Sequence, residues 1–187
     1  MLRRYFPLLF FVIPFLQNCR KDEPDFFANQ DDLASLYFLS DTFTCTAQKE
    51  VPGLGSVSWA SNIIASDVTG KLSFTFITFE SAENPYIRER LSFRNIPQQT
   101  GKTALQKAHP QPYGNYSRWQ GDGDLLFAGW NLDTLKENKM EIVQLDTVAR
   151  MVKGKFDVYL IRTLQSSVGV QHSERINFKN GYFETRY

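Results

Sequence analysis

Histidine and cysteine are nearly missing from this chain, and their scarcity excludes more chemistry than any residue present suggests. His109 and His172 are the only histidines, and neither they nor Cys19 and Cys45 form an H-x-x-x-H or C-x-x-C arrangement. No transition-metal ligand set is therefore written in the sequence. Neither histidine is accompanied by a G-x-S-x-G turn, so a Ser–His–acid hydrolase has no anchor, and both read as surface side chains in polar turns. Gly-rich phosphate loops are lacking, which removes nucleotide hydrolysis. The 20 acidic residues offer many carboxylate pairs and no means of singling out the facing two that a glycosidase needs. Also lacking are internal repeats, low-complexity segments and any basic run that would recommend nucleic acid as a partner.

The apolar runs are short as well. Tyr5 to Leu16 is the longest, too short to span a bilayer comfortably and interrupted by Pro7 and Pro14. Behind Arg3 and Arg4 it has the anatomy of an export signal. The run ends in Leu16-Gln17-Asn18-Cys19, which resembles a bacterial lipobox, with Asn18 where a small residue is usual. The resemblance implies diacylglycerol transfer to the Cys19 thiol and cleavage before it. Lys21-Asp22-Glu23 is similar to the charged lipoprotein export signal of Bacteroidota, a lysine followed by two acids, and implies display at the outer face of the outer membrane. The chain then divides into a signal peptide (1–18), a lipidated polar tether (19–30) and one domain (31–187). Without Arg3 and Arg4, 19 basic residues face 20 acidic ones. With Cys19 acylated, Cys45 has no disulfide partner, so stability must come from a core. A domain of about 150 residues buries roughly two thirds of its unfolded surface, enough for this, and 16 Phe, 8 Tyr and 3 Trp supply large side chains.

Beyond a short helix over Leu33, Leu36 and Tyr37, capped by Asp31-Asp32, the period of the apolar residues is two. Strands are expected over Thr42 to Gln48, Val57 to Ile64, Lys71 to Phe79 and Arg88 to Ile96, with Cys45 a small core residue of the first. A short strand over Gly101 to Leu105 precedes the longest irregular segment, His109 to Asp124. Alternation resumes over Leu125 to Leu132, Met140 to Leu145 and Met151 to Ile161, the clearest strand of all. Glu174 to Phe178 and Tyr182 to Tyr187 flank Asn180-Gly181, a pair suited to positive φ in a hairpin turn or bulge. About ten strands with regular turn signals predict an all-β fold, an antiparallel β-sandwich or barrel, which periodicity does not separate.

The stretches Glu89-Arg90-Leu91-Ser92-Phe93-Arg94-Asn95-Ile96-Pro97, Asp122-Gly123-Asp124, Val152-Lys153-Gly154-Lys155-Phe156-Asp157 and Ile176-Asn177-Phe178-Lys179-Asn180-Gly181-Tyr182-Phe183 together resemble all-β lipoprotein domains of Bacteroidota that are themselves uncharacterised. The resemblance spans Arg88 to Tyr187. It implies fold and location and brings no catalytic residues with it.

Two local features suggest chemistry. Asp122 and Asp124 on either side of Gly123 suit oxygen ligation of calcium, against the simpler explanation of a tight turn, since further ligands of a calcium loop are missing. Tyr113, Tyr116 and Trp119, with Arg118 among them, suit stacking and hydrogen bonding to a sugar ring or peptide on an exposed loop. Their competing role is to cover the end of the sheet. The expectation is an outer-membrane, surface-anchored lipoprotein, joined to the membrane through its diacylglycerol, whose non-enzymatic β-domain binds a glycan or protein and uses no cofactor. The alternative is a carrier of apolar ligands or a structural envelope protein, marked by a barrel with an empty apolar interior; a hydrolase ranks third.

Overall fold

The computed structural model describes residues 44–80, 86–120, 125–166 and 172–187. The leader, Cys19, the tether, the helix expected over Leu33 to Tyr37, and Asp122 with Asp124 fall outside these residues. Ten strands make up the fold: β1 (Thr44–Val51), β2 (Gly55–Val68), β3 (Lys71–Phe79), β4 (Ile87–Pro97), β5 (Gly101–Ala104), β6 (Tyr113–Gln120), β7 (Leu125–Leu132), β8 (Lys139–Asp146), β9 (Met151–Gln165) and β10 (Arg175–Arg186). There is no helix among the described residues.

Between sandwich and barrel, the pairing of the last strand decides. One edge of β10 pairs with β9 and the other with β1, both antiparallel. The ring β1-β2-β3-β4-β6-β7-β9-β10 therefore closes as an eight-stranded barrel, which leaves it no free edge. The remaining two strands branch from β9. β7 pairs with its second half, from Leu160 to Gln165, and β8 with its first half, from Met151 to Asp157, while β5 continues outward from β8. Where β7 and β8 part, Tyr159 would lose its ladder partners. Its N–H instead donates to the Asn138 side-chain oxygen at 2.7 Å, and its carbonyl accepts from the Asp133 N–H at 2.8 Å. Both Asn138 and Asp133 are buried there, which explains two polar residues in an otherwise apolar shell.

An eight-stranded barrel encloses a space that side chains just fill, and here phenylalanine fills it. Phe76 of β3 lies 5.3 Å from Phe156 of β9, its opposite number across the barrel, and 5.7 and 5.5 Å from Phe93 and Phe183. Three of these rings have a glycine as their direct cross-strand partner: Phe93 faces Gly114, Phe183 faces Gly154 and Phe156 faces Gly181. A Cβ on Gly154 would stand 2.4 Å from the Phe183 ring and 2.9 Å from the Glu141 carbonyl. The glycines are thus the floor on which the rings lie. Cys45 is fully buried in this core, and burial pushes its thiol up to about 12, so it packs as a small apolar residue.

Most strands fall where period two places them, and β9, the longest at 15 residues, pairs with three neighbours. Asn180, at φ 52°, forms a bulge rather than a hairpin, so the two short strands expected around it are one continuous β10. The loop reading of His109 to Asp124 is corrected: Tyr113 to Gln120 is a central barrel strand. Its inner face carries Gly114, Tyr116 and Arg118, its outer face Asn115, Ser117 and Trp119, so no apolar alternation shows in the sequence. Gly154→Ala should lower stability by about 1–3 kcal/mol through overpacking, read from denaturant unfolding. An unchanged midpoint would mean that Phe183 has room to step aside.

Candidate functional site

Charged residues in phase with the core side of a strand are costly and therefore informative. In β1, Lys49 is in register with the buried Cys45 and Ala47; in β4, Glu89 is in register with Leu91 and Phe93. Arg118 follows Tyr116 on the inner face of β6, and Arg162 follows Val158 and Leu160 on that of β9. The antiparallel ring brings all four to one end of the barrel, the end where β1 passes into β2 and β9 leads toward β10. His172, just before β10, joins them.

Glu89 is the hub. Its carboxylate accepts a hydrogen bond from the Lys49 ammonium and a second from the Trp59 indole at 2.7 Å, with the Arg118 Nε at 3.6 Å. Lys49 also donates to the Tyr116 hydroxyl at 2.9 Å and lies 5.2 Å above the Tyr116 ring. Lys49 and Glu89 side chains are only 11% and 13% exposed, whereas Arg118 is 42% exposed and opens the cluster to solvent. Below them, Tyr116 packs on Trp130 at 5.1 Å and on Phe178 at 5.2 Å, joining the polar layer to the ring-filled interior.

Burial and pairing pull the two charges of the central pair in unlike ways. Burial would raise the Glu89 carboxyl, but the Lys49 charge and hydrogen bonds from Lys49, Tyr116 and Trp59 outweigh it and hold the group below the ordinary 4.5. For Lys49 burial wins: desolvation, helped by Arg118, lowers it despite Glu89. The Tyr116 phenol is raised, first by burial and then by the neighbouring carboxylate, and stays protonated.

Arg118 donates from Nη1 to Nδ1 of His172 at 3.2 Å. A guanidinium has no acceptor, so Nδ1 must be unprotonated and the ring proton sits on Nε2. Burial and then the charges of Arg118, Arg162 and Lys49 lower this histidine from 6.5, consistent with the neutral form. Phe127 flanks the ring at 4.7 Å and Trp130 at 5.9 Å. The Arg162 Nη1 donates to the His172 carbonyl and to Gln165 Oε1. Nε2 of His172 is buried and meets no partner among the described residues, an arrangement that costs about 1–3 kcal/mol when left unsatisfied.

The residues expected to form a binding loop are divided by the strand they occupy. Tyr116 is 1% exposed and belongs to the core. Arg118 faces inward beside it. Trp119 lies on the outer face, where its indole donates to Ser117 and the Arg90 guanidinium stacks at 5.3 Å. Tyr113, also on the outer face, is at the far end of β6, opposite Arg94. These residues therefore do not present their rings together on one loop, because successive side chains of a strand point to opposite faces. Two of them survive as parts of the buried cluster. Lys49, Trp59, Glu89 and Arg162 were not singled out by the sequence, and His172, read there as a surface side chain, has its Nε2 buried here; the five are up to 123 positions apart, and the visible signal of Lys49, Glu89 and Arg162 is a charge in phase with core residues near a strand end. A hollow of about 370 Å³ opens on the outside of β1 and β2, among Thr46, Gln48, Ser58, Ala60 and Asn180, and has no titratable lining. Among the described residues no three His, Cys, Asp or Glu side chains are grouped to hold a metal.

Lys49→Met takes from the buried Glu89 carboxylate its nearest cation, leaving it the Trp59 indole and the more distant Arg118, and should cost about 3 kcal/mol, with Lys49→Met/Glu89→Gln recovering part of the loss; purely additive losses would show the two to be uncoupled. Because folding lowers the Glu89 pKa, its contribution is complete above 4.5 and fades as pH falls through the lower folded value. Unfolding midpoints of Glu89→Gln should accordingly depend less on pH in that acid range than those of the unchanged chain. No family model matches this chain, and neither does any curated protein or solved structure.

Proposed function

We propose that the chain is an exported lipoprotein, acylated on Cys19 and held at the outer-membrane surface, whose barrel is a non-enzymatic binding module with its recognition site at the Lys49–Glu89 end. The observation that carries the binding site is the polar layer itself. Among the described residues the interior is otherwise mainly apolar, yet at this end a carboxylate, three cations, a phenol and an imidazole come together. Buried ion pairs of this kind commonly stabilise no better than apolar side chains of similar volume, so a role in stability alone explains them poorly. Sites retained for function at a cost in stability are a general pattern.

The apolar-carrier alternative finds little support. A carrier needs an open apolar interior, and here Phe76, Phe93, Phe156 and Phe183 meet across the lumen at centroid distances of 5.2 to 6.4 Å. What supports attachment is the leader and Cys19, since a diacyl group on that thiol would supply strong membrane affinity.

Two outcomes test the reading. Cys19→Ala should abolish incorporation of labelled fatty acid and release the protein from the membrane fraction; label retained in that variant would remove the anchor. The three tryptophans report on the binding site separately, because Trp59 and Trp130 lie inside the polar end and Trp119 lies outside. In the full chain in neutral detergent, a ligand should move the indole N–H resonances of Trp59 and Trp130 and leave Trp119 in place. Ligands that move Trp119 alone would place recognition on the outer wall.

A further inference from the structure

Among the described residues, the charges at this end do not balance. Lys49 is matched by Glu89, and Arg118 reaches the same carboxylate only at 3.6 Å. Arg162 forms no ion pair among the described residues; its Nη1 is held by the neutral oxygens of His172 and Gln165. Two guanidinium groups thus meet His172, Arg118 at the ring and Arg162 at the backbone carbonyl, and among the described residues the one carboxylate of Glu89 serves three cations. The imidazole between them has its proton on Nε2, since Nδ1 accepts from Arg118, and that N–H is buried without a partner among the described residues. Arg162 without an ion pair, and Arg118 sharing with Lys49 a single carboxylate that it meets only at 3.6 Å, leave this end with an excess of positive charge among the described residues.

We propose that the polar end binds an oxyanion, a carboxylate or phosphate group of a small ligand, at the guanidinium groups of Arg118 and Arg162. This deepens the binding reading and rests on it. A guanidinium matches the two oxygens of such a group in a planar fork. Glu89 does not block the seat, because Lys49 and Trp59 hold its two oxygens on the side of β1 and β2. The aromatic edges of Phe127 and Trp130 against the imidazole exclude water and strengthen the charge-assisted bonds. Arg118, the most exposed member, is the point of entry.

The test titrates the full chain in neutral detergent with inorganic phosphate, with benzoate and, as an uncharged control, with benzyl alcohol, following the indole resonances of Trp59 and Trp130. Saturable shifts with phosphate or benzoate are expected, and whichever anion binds more tightly identifies the group. Arg162→Gln should weaken that binding about ten- to a hundredfold, the effect of losing one hydrogen bond to a charged partner. Arg118→Gln, at a more exposed position whose loss the fold should tolerate, should do the same, while Lys102→Gln on β5 should leave it unchanged. Affinity in both arginine variants equal to that of the unchanged chain would overturn the assignment. Shifts produced by benzyl alcohol but by neither anion would overturn the anion and keep the binding site; silence with every probe would remove both.

Discussion

The available width of an eight-stranded barrel is the constraint on which the rest of this structure depends. Such a ring encloses room for side chains and little more, and a sequence rich in phenylalanine must fit bulky rings into it. It does so by setting glycine against phenylalanine on neighbouring strands, at Gly114 and Phe93, Gly154 and Phe183, and Gly181 and Phe156. Each glycine removes a Cβ that would stand within 2.7 Å of the ring opposite. The rings then meet across the lumen, as Phe76 and Phe156 do at 5.3 Å. Register and packing are one device here: slipping a strand by one residue would set ring against ring and Cβ against Cβ.

Filling the lumen with rings leaves function only the ends and the outer wall. At the end where β1 turns into β2, hydrocarbon gives way to Lys49, Glu89, Tyr116, Arg118, Arg162 and His172. Glu89 orders the group by taking donors from two other strands, Lys49 on β1 and Trp59 on β2. Arg118 then links the carboxylate to His172, and through it to Arg162. The layer is continuous with the core beneath, since Tyr116 hydrogen-bonds within the cluster and packs by its ring on Trp130 and Phe178. Lys49, Glu89, Tyr116, Arg118 and Arg162 are thus held by strands rather than by loops, with His172 just before β10.

Legibility in the sequence followed how evenly each strand alternates. β3, with Leu72, Phe74 and Phe76 buried against Ser73 and Thr75, and β9, with Val152, Phe156, Val158 and Leu160, announce themselves. β6 does not, because its inward residues are a glycine, a tyrosine and an arginine and a tryptophan sits on its outer face. That inversion is physical: Gly114 is required by Phe93 on β4, and Arg118 by Glu89 on the same strand. Tyr113, Tyr116, Arg118 and Trp119 therefore looked like a loop for the reason that makes β6 important. Its inner positions answer to residues elsewhere in the chain and not to its own period.

By itself the sequence determined the strand content, the place of most strands, the burial of Cys45 and the bulge-prone Asn180-Gly181, because these depend on local alternation and on backbone preferences of single residues. Ring closure, the branching of β7 and β8 from β9, and the meeting of Lys49 with Glu89 and of Arg118 with His172 were decided only by the tertiary structure. Each of them joins residues distant along the chain, through pairings that no local period encodes.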